Sequence, residues 1–433
     1  MNPVSTESYK GVRDFYPDFY DQWKAMLDKV AATVEKFGYR RYDASILEPA
    51  ELYRSKTSEE IVSEQTYTFK DRGDREVTLR PEMTPTVARM IAAKYKEMSF
   101  PVRWYSLPNL FRYEKPQRGR LREHIQLNVD LFGATGEHAD LEMLSIAHSI
   151  LTGFGVDQKE FAIRINSRQL IQALYAHMGL TAEQRKVISR LIDKKSKIPH
   201  EVFMAELDTI GLTPEAHRVL NTFLTCKDIK DVGEKLSGQP AIAEHATALH
   251  STLSQLERLG ITNAVFDPTL MRGFDYYTGI VFEVFDNHPD NNRSLFGGGR
   301  YDELTALFGT PPIAAIGFGM GDVTLQDFLE TRGLFPAVRS PIDVYVCIAE
   351  GATYTQVFAL GNVMRSQGLR TVVDGSGKKV GDQIARAAKE MARFVTVIGS
   401  NELSTGTLSI KRLEDGQTKS AELEMLARTI ATF

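Results

Sequence analysis

The chain has 433 residues, of which 42% are apolar and 25% charged, and its net charge is −4. At roughly 100–200 residues per domain, this length predicts two to four domains with ample buried core. The composition excludes disordered, collagen-like and disulfide-scaffold classes, and the charge excludes a globally basic nucleic-acid coat while leaving local basic patches open. No apolar run reaches the ~18 residues of a membrane span. The start, MNPVSTESYKGVRDFYPD, has no apolar stretch after a basic opening, so no secretory signal and a cytoplasmic location are expected. Two cysteines, Cys226 and Cys347, are too few for a structural zinc site or a disulfide framework.

Residues 20–37 space apolar side chains three and four apart and predict an amphipathic helix closed by Gly38. From Tyr39 to about Phe132 the pattern shortens, and TYTFKD, EVTLRP, VRWYSL and IQLNVDLFG predict strands. Residues 138–153 predict a helix and FAIRIN (161–166) a strand. Helical runs joined by short breaks fill 168–258. Strand pattern returns at DYYTGIVFEVF, followed by the glycine run of FGGGRYDEL, a small-residue strand IAAIGFGMG and a helix DVTLQDFLE. The expectation is an α+β fold: one antiparallel-rich domain (1–167 and 261–330) interrupted by a helical insertion (168–260). TRGLFPAVRSP (331–341) predicts a linker, and the βαβαβ rhythm of 342–433 predicts a separate α/β domain with parallel strands.

Four stretches concentrate chemistry. In FRYEKPQRGRLREHIQLNVDLF (111–132), Arg112, Lys115, Arg118, Arg120 and Arg122 crowd a loop and are opposed by Glu114 and Glu123. The returning strand places Ile125, Leu127, Val129 and Leu131 on one face and Gln126, Asn128 and Asp130 on the other. This is either a surface hairpin or a polar pocket floor beside a cationic loop, whose arginines suit phosphate because a planar, permanently charged fork binds it bidentately. In LRPEMTPTVAR, Glu82 is either a strand-end surface carboxylate or an acceptor for a cation or ammonium group. In MRGFDYYTGIVFEVF, Arg272, Asp275, Tyr276 and Tyr277 open a strand, the tyrosines being either half-buried sheet residues or ligand groups. The glycines of FGGGRYDEL allow close backbone approach or a left-handed turn, but match neither Walker A nor GxGxxG spacing. There is no HExxH and no GxSxG. His245 and His250 lie off one helical face, which argues against a metal pair, and Cys226 reads as an inert thiol.

Together these stretches resemble the histidyl-tRNA synthetases, a family of class II (class IIa) aminoacyl-tRNA synthetases. The resemblance runs in order along nearly the whole chain. KGVRDFYP and EQTYTFKDRGDREVTLRPEMT come first, and FRYEKPQRGRLREHIQLNVDLFG is similar to class II motif 2. RGFDYYTG and GGGRYD are similar to the two histidyl signatures, and IAAIGFGMG is similar to the motif 3 strand. The resemblance implies an antiparallel class II catalytic sheet flanked by helices, a C-terminal anticodon-binding domain and a homodimer. It implies that histidine attacks the α-phosphate of ATP, supplied with Mg²⁺, and that the histidyl group then passes to the 3′ end of tRNA(His). By this likeness Arg112 and Arg272 are the catalytic cations at the α-phosphate, and Arg120 holds the terminal phosphates with Glu114 beside it. Glu82 and Asp130 take the ammonium end of histidine, Gln126 takes its carboxylate, Tyr277 and Tyr301 recognise the imidazole, and Thr84 is a further histidine-binding residue. No resident metal ligand is implied.

Three positions depart from the family pattern. Thr324 stands where an arginine usually opens the motif 3 helix, and Arg118, Arg120 or Arg122 is the expected substitute. Asp130 replaces a glutamate and is one methylene shorter, leaving space for a water. The motif 1 proline has no clear counterpart; Ser45 holds its place, with Pro49 near. The resemblance also admits a rival, the non-catalytic synthetase-like regulatory subunit of ATP phosphoribosyltransferase. Intact RGFDYYTG, intact GGGRYD and the C-terminal domain weigh against it.

Overall fold

The computed structural model describes residues 4–54, 65–195, 198–236, 238–271, 276–289, 291, 294–338 and 340–433. It divides into two compact units, Met1–Pro336 and Ala337–Phe433. In chain order the strands of the first are β1 (Arg40–Arg41), β2 (Leu47–Pro49), β3 (Tyr67–Lys70), β4 (Glu76–Leu79), β5 (Val102–Ser106), β6 (Asn109–Phe111), β7 (Glu123–Phe132), β8 (Phe161–Ser167), β9 (Ala264–Phe266), β10 (Ile280–Asp286), β11 (Ser294–Arg300) and β12 (Ala315–Gly321). The main sheet runs β1-β5-β7-β12-β11-β10-β8-β9, with β6 paired to β7; β2, β4 and β3 make a small second sheet. Pairing is antiparallel except at the two outer pairs, β1–β5 and β8–β9.

The sheet has two unlike faces, and the alternation within β7 is what makes them so. Ile125, Leu127, Val129 and Leu131 enter the principal core beneath two helices, Pro17–Glu35 and Glu137–Gly153. The Pro17–Glu35 helix opens on its proline and buries Trp23, Met26, Val30 and Val34, one every three or four residues. It gives way to Gly38 at φ +82°, a left-handed position that glycine occupies without penalty. The Glu137–Gly153 helix carries Glu137 and Asp140 in its first turn, where carboxylates complement the helix dipole.

The opposite face carries a smaller cluster that includes Val102, Phe132, Val281, Tyr276, Tyr277 and Tyr301. Here β12 contributes almost nothing: Gly317, Gly319 and Gly321 pair with Asp130, Asn128 and Gln126, while Ile316, Phe318 and Met320 point into the principal core. Glycine at every second position removes the side chains from one face, and a hollow over β7 results.

Six helices of the described residues fill 168–258, from Arg168–His177 to Pro240–Arg258. Their apolar faces, among them Leu174, Ile188, Phe223 and Leu249, belong to the same continuous core as the sheet. Leu334 and Phe335 also pack on that core, so the chain leaves the first unit only after Pro336.

The second unit has strands β13 (Val344–Ile348), β14 (Thr371–Val373), β15 (Phe394–Ile398), β16 (Thr407–Arg412) and β17 (Thr418–Glu422), in the order β14-β13-β15-β16-β17. The first three are parallel, as the βαβαβ rhythm implies, and β16–β17 extend the sheet as an antiparallel ribbon. No helix of the described residues is long and apolar enough to cross a membrane.

Candidate active site

Over the glycine-stripped face lies a cavity of two lobes, of about 260 Å³ and 180 Å³. Glu82, Thr84, Asn128, Tyr277, Glu283 and Tyr301 line the larger, and Glu114, Leu121, His124, Val323 and Thr324 line the smaller. Arg112, Arg120 and Gln126 line both, so the lobes meet at two arginines and an amide.

Glu82 is 4% exposed and accepts a hydrogen bond from Tyr276 Oη at 3.2 Å, which excludes the surface-carboxylate alternative. Thr84 follows it at the start of the Thr84–Lys94 helix. Tyr277 is buried, with its ring edge-on to Tyr276 at 4.9 Å. Tyr301, also buried, donates to Asp130 Oδ1. Burial pushes the Asp130 carboxyl up to about 7 against the lowering effect of that hydrogen bond. Burial and the charge of Asp130 push the Tyr301 phenol well above its ordinary value, so it remains a donor. A Cβ on Gly317 would lie 2.5 Å from Asp130 Oδ1 and 2.6 Å from the Val129 carbonyl; only glycine fits there.

At the junction Arg112, the residue after β6, is held by backbone carbonyls: its N–H donates to Arg122 O, and its Nε donates to Pro81 O at 2.9 Å. That leaves the outer nitrogens of the fork toward the cavity, and among the described residues no carboxylate pairs with them. Arg120 donates to Glu114 at 3.2 Å and is more than half exposed. His124 is pushed down to about 3, first by burial, then by Arg112 and Arg13, so it presents a neutral ring. Among the described residues the buried Oε1 of Gln126 has no hydrogen-bond partner.

Of the arginines expected to replace the one missing at Thr324, Arg120 alone lines the cavity among the described residues. Arg118 pairs with Asp327 at 2.8 Å, and Arg122 stacks on Tyr113 at 4.1 Å and Tyr9 at 5.6 Å. Thr324 itself caps back onto Leu295 O and Gly321 O. Arg272 lies outside the described residues. Thus Glu82, Thr84, Arg112, Glu114, Arg120, Gln126, Tyr277 and Tyr301 share one cavity, with Asp130 in its floor behind Tyr301. Asn128 and Glu283 line it without having been singled out as ligand groups. The glycine run 297–299 is extended strand with no left-handed residue, which excludes the turn alternative; Gly297 lines the larger lobe.

The smaller lobe is framed from outside by Asp322. This buried carboxylate accepts from Arg13 Nη2, from Trp23 Nε1 at 2.8 Å and from the Ile125 N–H at 3.1 Å. It thereby joins the N-terminal segment, the first helix and β7 to the helix that carries Thr324. Nothing in the local sequence pattern marks it.

The profile of the histidyl-tRNA synthetase family matches residues 11–323, and that of the anticodon binding domain matches residues 343–432. The chain is 40% identical over 412 residues to a histidine–tRNA ligase of Leptospira biflexa, covering 94% of this chain and 93% of that one. It is 35% identical over 416 residues to a histidine–tRNA ligase of Thermoplasma volcanium, covering 96% of each. The fold is similar to that of the crystal structure of histidyl-tRNA synthetase from Nostoc sp. PCC 7120, with a TM-score of 0.84, 22% identity, and coverage of 99% of this chain and 100% of that one. It is also similar to a Bacillus halodurans structure described as an ATP phosphoribosyltransferase regulatory subunit/histidyl-tRNA synthetase, with a TM-score of 0.74, 23% identity, and coverage of 92% and 100%.

Proposed function

The chain belongs to the histidyl-tRNA synthetase family, and from that premise we propose that the larger lobe binds histidine, the smaller binds ATP, and Arg112 serves the reaction between them. The protein is a histidine–tRNA ligase, an aminoacyl-tRNA synthetase. Relatives bearing that name match it along both units, and this full-length likeness disfavours the regulatory-subunit alternative.

The observation that carries the site assignment is the sharing of Arg112 and Gln126 by both lobes. Activation joins the histidine carboxylate to the α-phosphate: a carboxylate oxygen attacks phosphorus, the bond to the β-phosphate oxygen breaks, and pyrophosphate leaves. Negative charge builds on the non-bridging α-phosphate oxygens. A cation fixed there before reaction stabilises that charge without reorganisation, an effect of several kcal/mol. Arg112, tethered through its Nε, is such a cation, and Arg272 is the second by family likeness. Gln126 would hold the carboxylate end. Glu82 and Asp130 would take the ammonium group and ring N–H donors, and the Tyr277 and Tyr301 hydroxyls would discriminate the imidazole, since a ring lacking its partners leaves buried polar groups unpaired. A ribose hydroxyl at the tRNA 3′ end then attacks the histidyl carbonyl and AMP departs. Mg²⁺ enters as part of the ATP substrate.

Arg120, beside Glu114 and above Thr324, would hold the β- and γ-phosphates in place of the missing motif 3 arginine. Arg120→Ala is therefore expected to raise the Michaelis constant for ATP about tenfold in charging of a tRNA(His) transcript, with that for histidine little changed. An unchanged constant for ATP removes this assignment, and no charging by the parent protein removes the reading as a whole.

In the second unit, Tyr354 and Phe358 stack at 5.5 Å while exposed, and Arg365 lies over Phe358 at 4.8 Å. Tyr354 lines a cavity beyond the ends of β13 and β14, with Asp374, Lys378 and Gln383. Such rings and donors suit unstacked anticodon bases. Leu47 and Phe69 lie exposed on the small sheet and Ile46 just before it, an apolar surface that a second copy in a homodimer would cover. The reaction, as a step of translation, belongs to the cytoplasm.

A further inference from the structure

Beneath the larger lobe three buried oxygens find no hydrogen-bond partner among the described residues: Asp130 Oδ2, Tyr42 Oη and Ser106 Oγ. They converge from adjacent chain segments. Asp130 in β7 stands opposite Trp104 in β5, and Ser106, two residues on and wholly buried, stands opposite Asn128. Tyr42 runs beside β5, with its N–H bonded to Tyr105 O at 2.9 Å and its ring 5.3 Å from that of Trp104. Its hydroxyl is close enough to the Asp130 carboxylate to feel that charge. Ser106 Oγ is near it too, although the two form no well-directed hydrogen bond. Burial and Asp130 push the Tyr42 phenol well above its ordinary value, so it stays protonated and able to donate. Unpaired buried polar atoms are costly, and three in one place beside a ligand pocket call for a role.

We propose that Tyr42 and Ser106 are positioning residues of the amino-acid pocket: through one buried water their hydroxyls serve the free oxygen of Asp130, fixing the direction of its carboxylate and keeping it charged to accept from the substrate's N–H groups. Each carboxylate oxygen has two acceptor sites, so serving Tyr301 on one side and Tyr42 and Ser106 on the other leaves room for the ligand. A water with three or four polar partners is stable in such a place. The inference rests on the reading of the larger lobe as the histidine site.

The groups facing Asp130 are the phenols of Tyr301 and Tyr42, while that of Tyr39, bonded to Glu142 on the core side of the sheet, feels its charge more weakly. Tyr276 lies behind Tyr301, Arg80 and Asp43 beyond Tyr42, and Glu82 across the lobe. Removing a donor to the charged form raises the carboxyl further, so the acid limb of activity must move to higher pH.

The test is histidine-dependent ATP–pyrophosphate exchange as a function of histidine concentration and pH. It compares the parent chain, Tyr42→Phe, Ser106→Ala, Asp130→Asn and the Tyr42→Phe/Asp130→Asn double variant. Tyr42→Phe and Ser106→Ala each remove one oxygen. Each is expected to raise the Michaelis constant for histidine about tenfold and to shift the acid limb of kcat/KM upward, with the constant for ATP and the melting midpoint unchanged. On the Asp130→Asn background Tyr42→Phe is expected to add nothing, because its effect passes through that carboxylate. Unchanged histidine constants, a lowered melting midpoint with the pH profile unmoved, or an additive double variant would overturn the inference while leaving the histidine site standing. Absence of histidine-dependent exchange in the parent chain would overturn that reading and the inference with it.

Discussion

Replacing Arg112 by alanine is expected to lower the rate of histidine-dependent exchange by ~10²–10³-fold, with a smaller change in the Michaelis constant for histidine. The expectation follows from how the side chain is held. Its Nε is spent on the Pro81 carbonyl, which points the rest of the fork into the cavity where the two lobes meet. Among the described residues no carboxylate pairs with it, so its outer nitrogens are left to donate to the phosphate. The loss falls on kcat because the charge it stabilises grows during attack. Lysine at this position is expected to recover little, since its donors radiate from one nitrogen, which cannot sit at the Pro81 carbonyl and reach the phosphate as the separated nitrogens of a guanidinium do. Exchange by Arg112→Ala within threefold of the parent would show that the cation acts elsewhere.

Asp322→Ala is expected to cost ~3–5 kcal/mol of stability, the largest effect on folding among the substitutions considered. The carboxylate is 2% exposed and accepts from a guanidinium, an indole and a backbone amide. Alanine leaves the indole and amide donors buried and unpaired, and takes the carboxylate partner from Arg13, whose side chain is only 19% exposed. Asparagine keeps one acceptor and should cost about half as much. Denaturant unfolding of the full chain reads the difference as a lowered midpoint at unchanged slope. A loss below ~1 kcal/mol would mean that the N-terminal segment is held by its aromatic packing instead, through Phe15 and Trp23 at 4.7 Å.

How far the fold and site could be read from residues alone depended on whether a pattern was local. The alternation of β7 announced its two faces, and the structure turns Gln126, Asn128 and Asp130 to the side away from the core that takes Leu127 and Val129. Spacing could not choose between a solvated face and a pocket floor, because that depends on what lies opposite. The answer came from β12, whose Gly317, Gly319 and Gly321 open the space. They read only as a strand of small residues, although their period of two was in plain view. Glu82 offered no local sign of burial, since its partner Tyr276 is 194 residues away. Asp322 is the first residue of the predicted helix DVTLQDFLE. An aspartate opening a helix is usually a surface residue, and the donors that bury this one come from Arg13, Trp23 and Ile125. Strands β16 and β17 carry few apolar residues; Leu408, Ile410 and Ala421 turn inward, but the rest is polar, as suits a ribbon at the sheet's edge.

The measurement that bears most directly on the account is ATP–pyrophosphate exchange by the purified chain with each of the twenty amino acids in turn and no tRNA present. Exchange is expected with histidine, none above background with the others, and loss of the histidine signal in Arg112→Ala. This result would also establish that a chain with Thr324 in place of the motif 3 arginine activates its amino acid. No exchange with histidine, in a protein that still binds histidine in a direct titration, would contradict the account and favour a chain that senses the amino acid without activating it.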